Sequence, residues 1–161
     1  MPRRDKSNYY LDIAQSVALR VTCIRHNFGC IIVKNDEIIS TGYSGAPRGR
    51  QNCSDLGECM RKKLNIPKGE RYELCRSVHS EANAIISAAR RDMIGGSLYL
   101  ACVNSDGGLI PETNSCAMCK KLIINSGIKE VIIRDDYDHY RVVLVQDWID
   151  DDESLKGILG Y

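Results

Sequence analysis

Four side chains in this sequence have the types and spacing of a metal site: His79 and Glu81 in one segment, Cys116 and Cys119 in another. One imidazole and two thiolates are a recognised ligand set for a catalytic zinc ion, which keeps one coordination position open for water. Glu81 is then a carboxylate that need not touch the metal. Together the four residues predict a zinc-activated water molecule with its own proton carrier.

Helix geometry explains the spacing of these residues. Residues i and i+3 share a helix face, so Cys116 and Cys119 can bind one ion if CAMCKKLII starts a helix. The N–H groups and dipole at that helix start favour thiolates. His79 begins a second helical stretch, HSEANAIISAAR. A C-x-x-C pair alone also fits a redox pair or half of a structural zinc site. Its occurrence together with H-x-E favours the catalytic zinc.

Composition limits the class of protein. The chain has 161 residues, 18.0 kDa and a net charge of +1, from 22 basic and 21 acidic side chains. This size predicts one domain, residues 1–161. The charge balance argues against binding of duplex nucleic acid and favours a small-molecule substrate. No apolar run reaches the roughly 18 residues that span a bilayer, and no secretory signal is evident. We therefore expect a cytoplasmic protein, in which cysteines are metal ligands or buried thiols.

The first part of the chain predicts one helix and a hairpin. An amphipathic stripe over residues 8–24 indicates a helix that packs on a core. Strand-like runs at 29–34 and 37–43 are joined by Asn35-Asp36, which is typical of a tight turn. A long irregular segment follows, at about 44–76, and segments of this kind usually have a function or a staple.

The second part alternates strands and helices. The His79 helix should end at Gly95-Gly96, and the helix at 115–125 should end at Gly127. Asp147 is a candidate cap of a short C-terminal helix. Three strands are predicted, at 97–102, 129–134 and 141–146, with a connector at 103–114. Alternation of this kind implies parallel pairing, so the fold class is α/β, a mixed sheet of about five strands covered by helices in three α/β/α layers.

At the level of motifs the chain resembles the cytidine and deoxycytidylate deaminase superfamily, most closely its dCMP deaminase branch. The resemblance covers about residues 8–138 and rests on these segments: ALRVTCIR at 18–25, TGYSG at 41–45, HSEANAI at 79–85, LYL at 98–100, CAMCKKLI at 116–123 and SGIK at 126–129. It implies the cytidine-deaminase-like fold. The chain departs from the branch at three places. Ser44 stands where the branch has asparagine, Ser115 stands where it has proline, and the 103–114 connector is longer than the few residues found there in the branch.

The resemblance also implies a reaction. Zinc on His79, Cys116 and Cys119 would activate water, and Glu81 would carry its proton to the pyrimidine ring and the departing ammonia, converting dCMP to dUMP. Arg25 matches a position near the 5′-phosphate, although an arginine at a helix end is often only a favourable C-terminal charge. Ser44 matches a sugar contact. Tyr137 matches a tyrosine near phosphate and base, or is a surface tyrosine.

Four further cysteines surround the irregular segment: Cys23, Cys53, Cys59 and Cys75. Some members of the branch carry a second, structural zinc near these positions, which here would staple the insert at about 44–76. The alternative is four unpaired thiols. Cys30 and Cys102 lie in strand-like runs and should be buried.

Other functions remain open at this stage. The same chemistry suits another nucleotide, nucleoside or base, and a non-catalytic zinc-binding module is a second class. Glu81 separates these classes, because a purely structural site needs no unligated carboxylate. Members of the branch are commonly homo-oligomers regulated by dCTP and dTTP, so the resemblance implies a homo-oligomer and these effectors.

Overall fold

A five-stranded mixed sheet forms the centre of the molecule. The computed structural model describes residues 1–156, so the last five residues of the predicted 1–161 domain lie outside the described part. The strands follow the spatial order β2-β1-β3-β4-β5. Their bounds are β1 Asn27–Lys34, β2 Glu37–Tyr43, β3 Ser97–Val103, β4 Glu130–Arg134 and β5 Tyr140–Leu144.

Seven helices accompany the sheet within the described residues. They are α1 Lys6–Ala18, α2 Cys53–Leu56, α3 Met60–Lys63, α4 Ser80–Ile86, α5 Arg90–Met93, α6 Ala117–Ser126 and α7 Val145–Asp150, with 3₁₀ turns at Tyr72–Leu74 and Glu153–Lys156. None of the helices over residues 1–156 has both the length and the apolar character that a membrane crossing requires.

The sheet separates two layers of helix. On one face, α1 buries Leu11 and Ala14 against Ile31 and Ile132 of the strands. On the other face, α4, α6 and α7 cover a second core, which includes Leu98. Apolar side chains alternate between the faces along the strands because successive residues of a strand point to opposite sides. The predicted three-layer α/β/α architecture is confirmed.

Strand pairing follows the lengths of the connections. β1 is antiparallel to β2 and β3, and β3 is parallel to β4 across the α6 crossover. Asn35 and Asp36 both have positive φ, 51° and 65°, as a two-residue hairpin with a type I′ turn requires. The predicted parallel pairing is wrong for β5, which is antiparallel to β4. Only residues 135–139 separate these strands, which is too short for a parallel crossover.

Several element boundaries differ from those predicted. Helix α1 ends at Ala18 rather than near residue 24, because Thr22 bonds to Ser44 instead, its N–H donating to that carbonyl at 3.2 Å. The stretch after His79 is two short helices. Strand β5 ends at Leu144, and Asp147 lies in the first turn of α7 rather than at its cap. Helix α6 ends as predicted, with Gly127 at φ 82°.

The segment between β2 and α4 contains short helices rather than being wholly irregular. The two ends of the segment are joined at Gly45 and Val78, which exchange two backbone hydrogen bonds of 3.1 and 2.7 Å. Between these residues the chain forms α2, α3 and the turn at Tyr72–Leu74. The segment therefore leaves and rejoins the sheet beside the start of α4, where His79 lies.

Candidate active site

Two helix starts bring the three predicted metal ligands together. His79 is the N-cap of α4 and Cys116 is the N-cap of α6, with Cys119 in the first turn of that helix. His79 Nδ1 lies 3.3 Å from Cys116 Sγ and 3.5 Å from Cys119 Sγ. Over residues 1–156, this is the one group of three or more such side chains whose donor atoms all lie within 4.8 Å of each other.

These separations fit a zinc ion. Bonds of about 2.3 Å to sulfur and about 2.0 Å to nitrogen, at tetrahedral angles, separate two ligand atoms by about 3.5 Å. One imidazole and two sulfurs leave a fourth position open. The donor set and its spacing therefore match a catalytic zinc site better than a closed structural one.

The side chains of the cluster shift one another's pKa values. A hydrogen bond from Cys119 lowers the pKa of the Cys116 thiol, against the opposing effect of burial. Burial alone would lower the pKa of His79, but hydrogen bonds to Cys116 and Cys75 raise it to about 10. The pKa of Cys119 is raised, because its neighbour Cys116 already carries the negative charge. A thiolate is thus available to a metal near neutral pH.

Glu81 lies beside the cluster without belonging to it. It is the second residue of α4, only 3 % exposed, and its side chain reaches the same cavity as His79 and Cys116. Ser80 Oγ donates a 2.9 Å hydrogen bond to Glu81 Oε2. Because Ser80 holds one carboxylate oxygen, the other remains for proton transfer.

The cavity in front of these residues has a volume of about 430 Å³, within the usual range for small-ligand sites. Arg25, His26 and Lys68 line one part of it. Burial and the positive charges of Arg25, Lys68 and Lys62 lower the pKa of His26. In the described part of the chain, no acidic side chain forms an ion pair with Arg25 or Lys68. The cavity therefore offers uncompensated positive charge to a ligand.

The structure brings two of the three predicted substrate residues to this cavity. Arg25 lies in the loop after α1, so it is not the C-terminal charge of a helix. Ser44 is buried in the cavity wall, with its N–H bonded to the Phe28 carbonyl at 3.0 Å. Tyr137 does not line the cavity. It is 63 % exposed, and the guanidinium of Arg4 stacks 4.1 Å from its ring centre.

The four further cysteines lie near one another around the same wall. Cys23, Cys59 and Cys75 line the cavity, and Cys53 is buried behind it. Burial raises the pKa of Cys53, and the other three cysteines raise it further. Their sulfur atoms do not form a group within 4.8 Å among the described residues. Cys30 and Cys102 are buried in β1 and β3, as predicted.

The longer 103–114 connector, which could reshape the pocket rim by its departure from the branch, lines the cavity, and Arg141 is the rim residue that sequence reasoning missed. Glu112, Thr113 and Asn114 line the cavity, and Arg141 joins them from β5. Arg141 binds Asp135 through a 2.7 Å ion pair and donates to the Thr113 carbonyl at 2.7 Å. An arginine at the start of the apolar run VVLV was the available signal. Ser115, where the branch has proline, is buried with no hydrogen-bond partner for its hydroxyl.

Comparison with known proteins agrees with this geometry. The deoxycytidylate deaminase of Mycobacterium phage D29 is 35% identical over 137 residues, which cover 82% of this chain and 96% of that protein. The deoxycytidylate deaminase of Schizosaccharomyces pombe is 32% identical over 130 residues. The match covers 81% of this chain but only 37% of the yeast protein.

Solved structures show the same fold. The dCMP deaminase of cyanophage S-TIM5 superposes with a TM-score of 0.58 and 23% identity, covering 85% of this chain and 88% of that one. A further structure of that phage enzyme holds dCMP and dUMP. The family model described as the cytidine and deoxycytidylate deaminase zinc-binding region matches residues 4–134. On this match and these identities, the chain belongs to the cytidine and deoxycytidylate deaminase family.

Proposed function

We propose that this protein is a zinc-dependent deaminase that converts a cytosine nucleotide, above all dCMP, to the uracil nucleotide and ammonia. One observation carries the proposal: His79, Cys116 and Cys119 form a three-ligand cluster, and Glu81 reaches the same cavity without joining it. A non-catalytic zinc module has no use for such a carboxylate. The names of the phage and yeast relatives support dCMP as the substrate.

Glu81 carries the proton in the proposed reaction. Bound zinc supplies the Lewis acidity that makes water a nucleophile near neutral pH. Glu81 accepts the proton of that water on Oε1, since Ser80 holds Oε2. The hydroxide adds to the ring carbon that carries the amine, and Glu81 gives the accepted proton to the ring nitrogen N3. Glu81 then passes the proton of the added hydroxyl to the amine, so that the carbon–nitrogen bond breaks, ammonia leaves and a carbonyl forms. A carboxylate can take both roles because it changes protonation state within one turnover.

Positive charge on Arg25 and Lys68, which line the cavity, supports a nucleotide rather than a nucleoside. We assign the 5′-phosphate contact to Arg25, whose planar guanidinium suits two phosphate oxygens, with Lys68 as a second cation. We assign the sugar contact to Ser44, whose hydroxyl belongs to the cavity wall. Tyr137 has no place in the proposed site because it stacks on Arg4 outside the cavity.

The proposal is tested by ammonia release from dCMP, CMP, deoxycytidine and cytidine. We expect dCMP to be the preferred substrate. Glu81→Gln should keep zinc, because Glu81 is not a ligand, and lose at least about 100-fold in kcat, the lower range for a general acid–base group. Retention of activity by Glu81→Gln would refute the proton-carrier role. Zinc binding without deamination of any of the four compounds would favour the zinc module.

We also propose that Cys23, Cys53, Cys59 and Cys75 hold a second, structural zinc. In this proposal residues 1–161 form one deaminase domain, and the second ion stabilises its insert at about 44–76. The other three cysteines raise the pKa of Cys53, which supports the proximity of the four thiols. Four thiolates make a closed tetrahedral site. Metal analysis should give two zinc ions per chain, and one in Cys53→Ser. One zinc in the unchanged protein would exclude the second site.

We propose a reducing, cytoplasmic location, which the thiolate ligands of both proposed sites favour, because zinc binds thiolates and not disulfides. We further propose a homo-oligomer regulated by dCTP and dTTP. Exposed apolar side chains on α6, Met118 and Leu122, support contact with a second copy. Mass measurement in solution and dCMP assays with each effector test these two points.

A further inference from the structure

The insert contains a buried arginine with an unusual environment. Arg61, in α3, is only 4 % exposed, yet no acidic side chain within residues 1–156 forms an ion pair with it. Its guanidinium donates to two backbone carbonyls, those of Pro67 at 2.8 Å and of Glu70. A buried charge is costly unless its N–H groups are satisfied, and these carbonyls satisfy them. Arg61 thereby holds the turn over residues 66–71 in one conformation.

Arg61 also contacts an aromatic ring that lies against the metal cluster. The guanidinium carbon is 4.1 Å from the ring centre of Tyr72. The Tyr72 ring meets the imidazole of His79 edge to face, with centres 5.3 Å apart and planes at 80°. Both geometries are attractive, the first through the charge over the ring and the second through the ring quadrupoles. These two contacts connect Arg61 in the insert, through Tyr72, to the proposed metal ligand His79.

The imidazole of His79 needs such support. His79 is the N-cap of α4, so its backbone is outside the helix, and rotation of an imidazole about its second side-chain torsion has only broad preferences. The ring nitrogen Nδ1 must point at the gap between the two sulfurs to bind an ion with them. Residues that orient metal-ligating histidines commonly do so by a hydrogen bond to the second ring nitrogen. Here a packed aromatic ring restrains the ring plane as well.

We propose that Arg61 is a positioning residue for the metal centre, acting through Tyr72 to fix the plane of the His79 ring. The insert then has a role at the metal beyond lining the cavity. If Arg61 only folded its own turn, changes at Tyr72 that leave the turn intact would not alter metal binding. The two interpretations therefore differ in what they expect of Tyr72.

Cobalt binding to the full chain tests the proposal, since Co²⁺ in a site with thiolate ligands has a visible spectrum that reports ligand geometry. The spectrum of Cys116→Ser, which lacks the site, is subtracted to remove any contribution from other cysteines. Co²⁺ and Zn²⁺ affinities are measured by competition with a chelator. No turnover is needed, so the outcome does not depend on which nucleotide is the substrate.

We expect Tyr72→Leu and Arg61→Met to weaken metal affinity about 10- to 100-fold, the usual effect of losing a residue that supports a ligand. Both should also shift the cobalt spectrum. Tyr72→Phe keeps the ring and loses only the hydroxyl, which hydrogen-bonds to the Gly69 backbone, so it should retain more of the affinity than Tyr72→Leu. Arg61→Lys should restore only part of the affinity because lysine lacks the planar fork. Arg71→Met is the matched control, since Arg71 is an exposed arginine of the same insert, paired with Glu73.

Tyr72→Leu decides the test even if Arg61→Met does not fold, because Tyr72 is only half-buried. Circular dichroism and a thermal melt show that the variant is folded. Folded Tyr72→Leu with an unchanged cobalt spectrum and unchanged affinity overturns the proposal. A shifted spectrum and weaker binding in Tyr72→Leu, with neither in Arg71→Met, support it.

Discussion

Gly42 is the point at which the sheet touches the helix that carries Glu81. A Cβ atom at Gly42 would lie 2.5 Å from the Ala84 nitrogen and closer still to the Ser80 carbonyl oxygen. Contacts of a Cβ shorter than 3.0 Å are essentially not found. Both partners are backbone atoms of α4, which cannot rotate away. The change Gly42→Ala must therefore push α4 from β2 by at least about half an ångström.

The magnitude follows from this displacement. Forcing one methyl group into a packed interface costs about 1–3 kcal/mol. At about 2–4 °C per kcal/mol for a domain of this size, the melting temperature should fall by about 2–12 °C. Because α4 also carries Glu81, the carboxylate moves with it. A misplacement of about 1 Å costs about 100-fold in rate, so we expect kcat to fall about 10- to 100-fold.

Gly29→Ala is the matched control for this experiment. A Cβ at Gly29 would lie 2.5 Å from the Ala14 carbonyl oxygen, so it pushes on α1, in the other layer. We expect a similar loss of stability with kcat retained. Steady-state deamination of dCMP at matched zinc content, with a thermal melt of each variant, checks both. The reasoning is refuted if the two variants lose the same fraction of kcat, or if Gly42→Ala loses none.

Three further predictions concern the metal, the core and the rim. Removal of zinc with a chelator should lower the melting temperature, and zinc at 1,000 times its Kd should restore about 4 kcal/mol of stability; equal melting temperatures with and without metal would contradict this. Asp12→Asn should cost about 1–3 kcal/mol of stability, because it leaves buried Arg134 without the carboxylate that lies 2.7 Å away. This cost is less than that of breaking a fully buried ion pair, since Asp12 is 38 % exposed. The same change in an Arg134→Met background should cost clearly less in a urea melt, because only the partly exposed ion pair of Asp12 with Arg4 is then lost; equal costs in the two backgrounds would rule out the coupling. Arg141→Met should raise KM for dCMP about 10-fold with kcat little changed, because it releases the Thr113 carbonyl at the rim; a fall in kcat alone would show that Arg141 acts elsewhere.

Local chemistry made part of this structure predictable. The turn at Asn35-Asp36 followed from residues that tolerate positive φ, and the gathering of Cys116 and Cys119 followed from helix periodicity. His79 could be joined to them because strands and helices that alternate place helix starts at one edge of a sheet. These inferences needed only neighbours in sequence or a repeating connection.

Contacts between distant segments could not be read in the same way. The apolar stripe continues past Ala18, but helix α1 ends there because Thr22 bonds to Ser44 in the next hairpin. Tyr137 matches a substrate position of the family or is a surface tyrosine, and Arg4, far away in sequence, stacks on its ring outside the cavity. Nothing local to either segment indicates its partner. The basic run Arg61-Lys62-Lys63 is typical of a solvent-exposed helix face, yet Arg61 is buried, because its partners are backbone carbonyls that carry no sequence signal.

The ion pair between Asp135 and Arg141 holds the cavity rim from a part of the fold that does not carry the metal ligands. The Glu112 N–H donates a 2.8 Å hydrogen bond to Asp135, and Arg141 donates one to the Thr113 carbonyl. The β4–β5 hairpin therefore positions this part of the rim. The metal ligands and Glu81 belong instead to helix starts packed into the core. In the deaminase proposed above, exchange of the connector and the β4–β5 hairpin with those of a relative should therefore change substrate preference, while the metal ligands and Glu81 keep their arrangement.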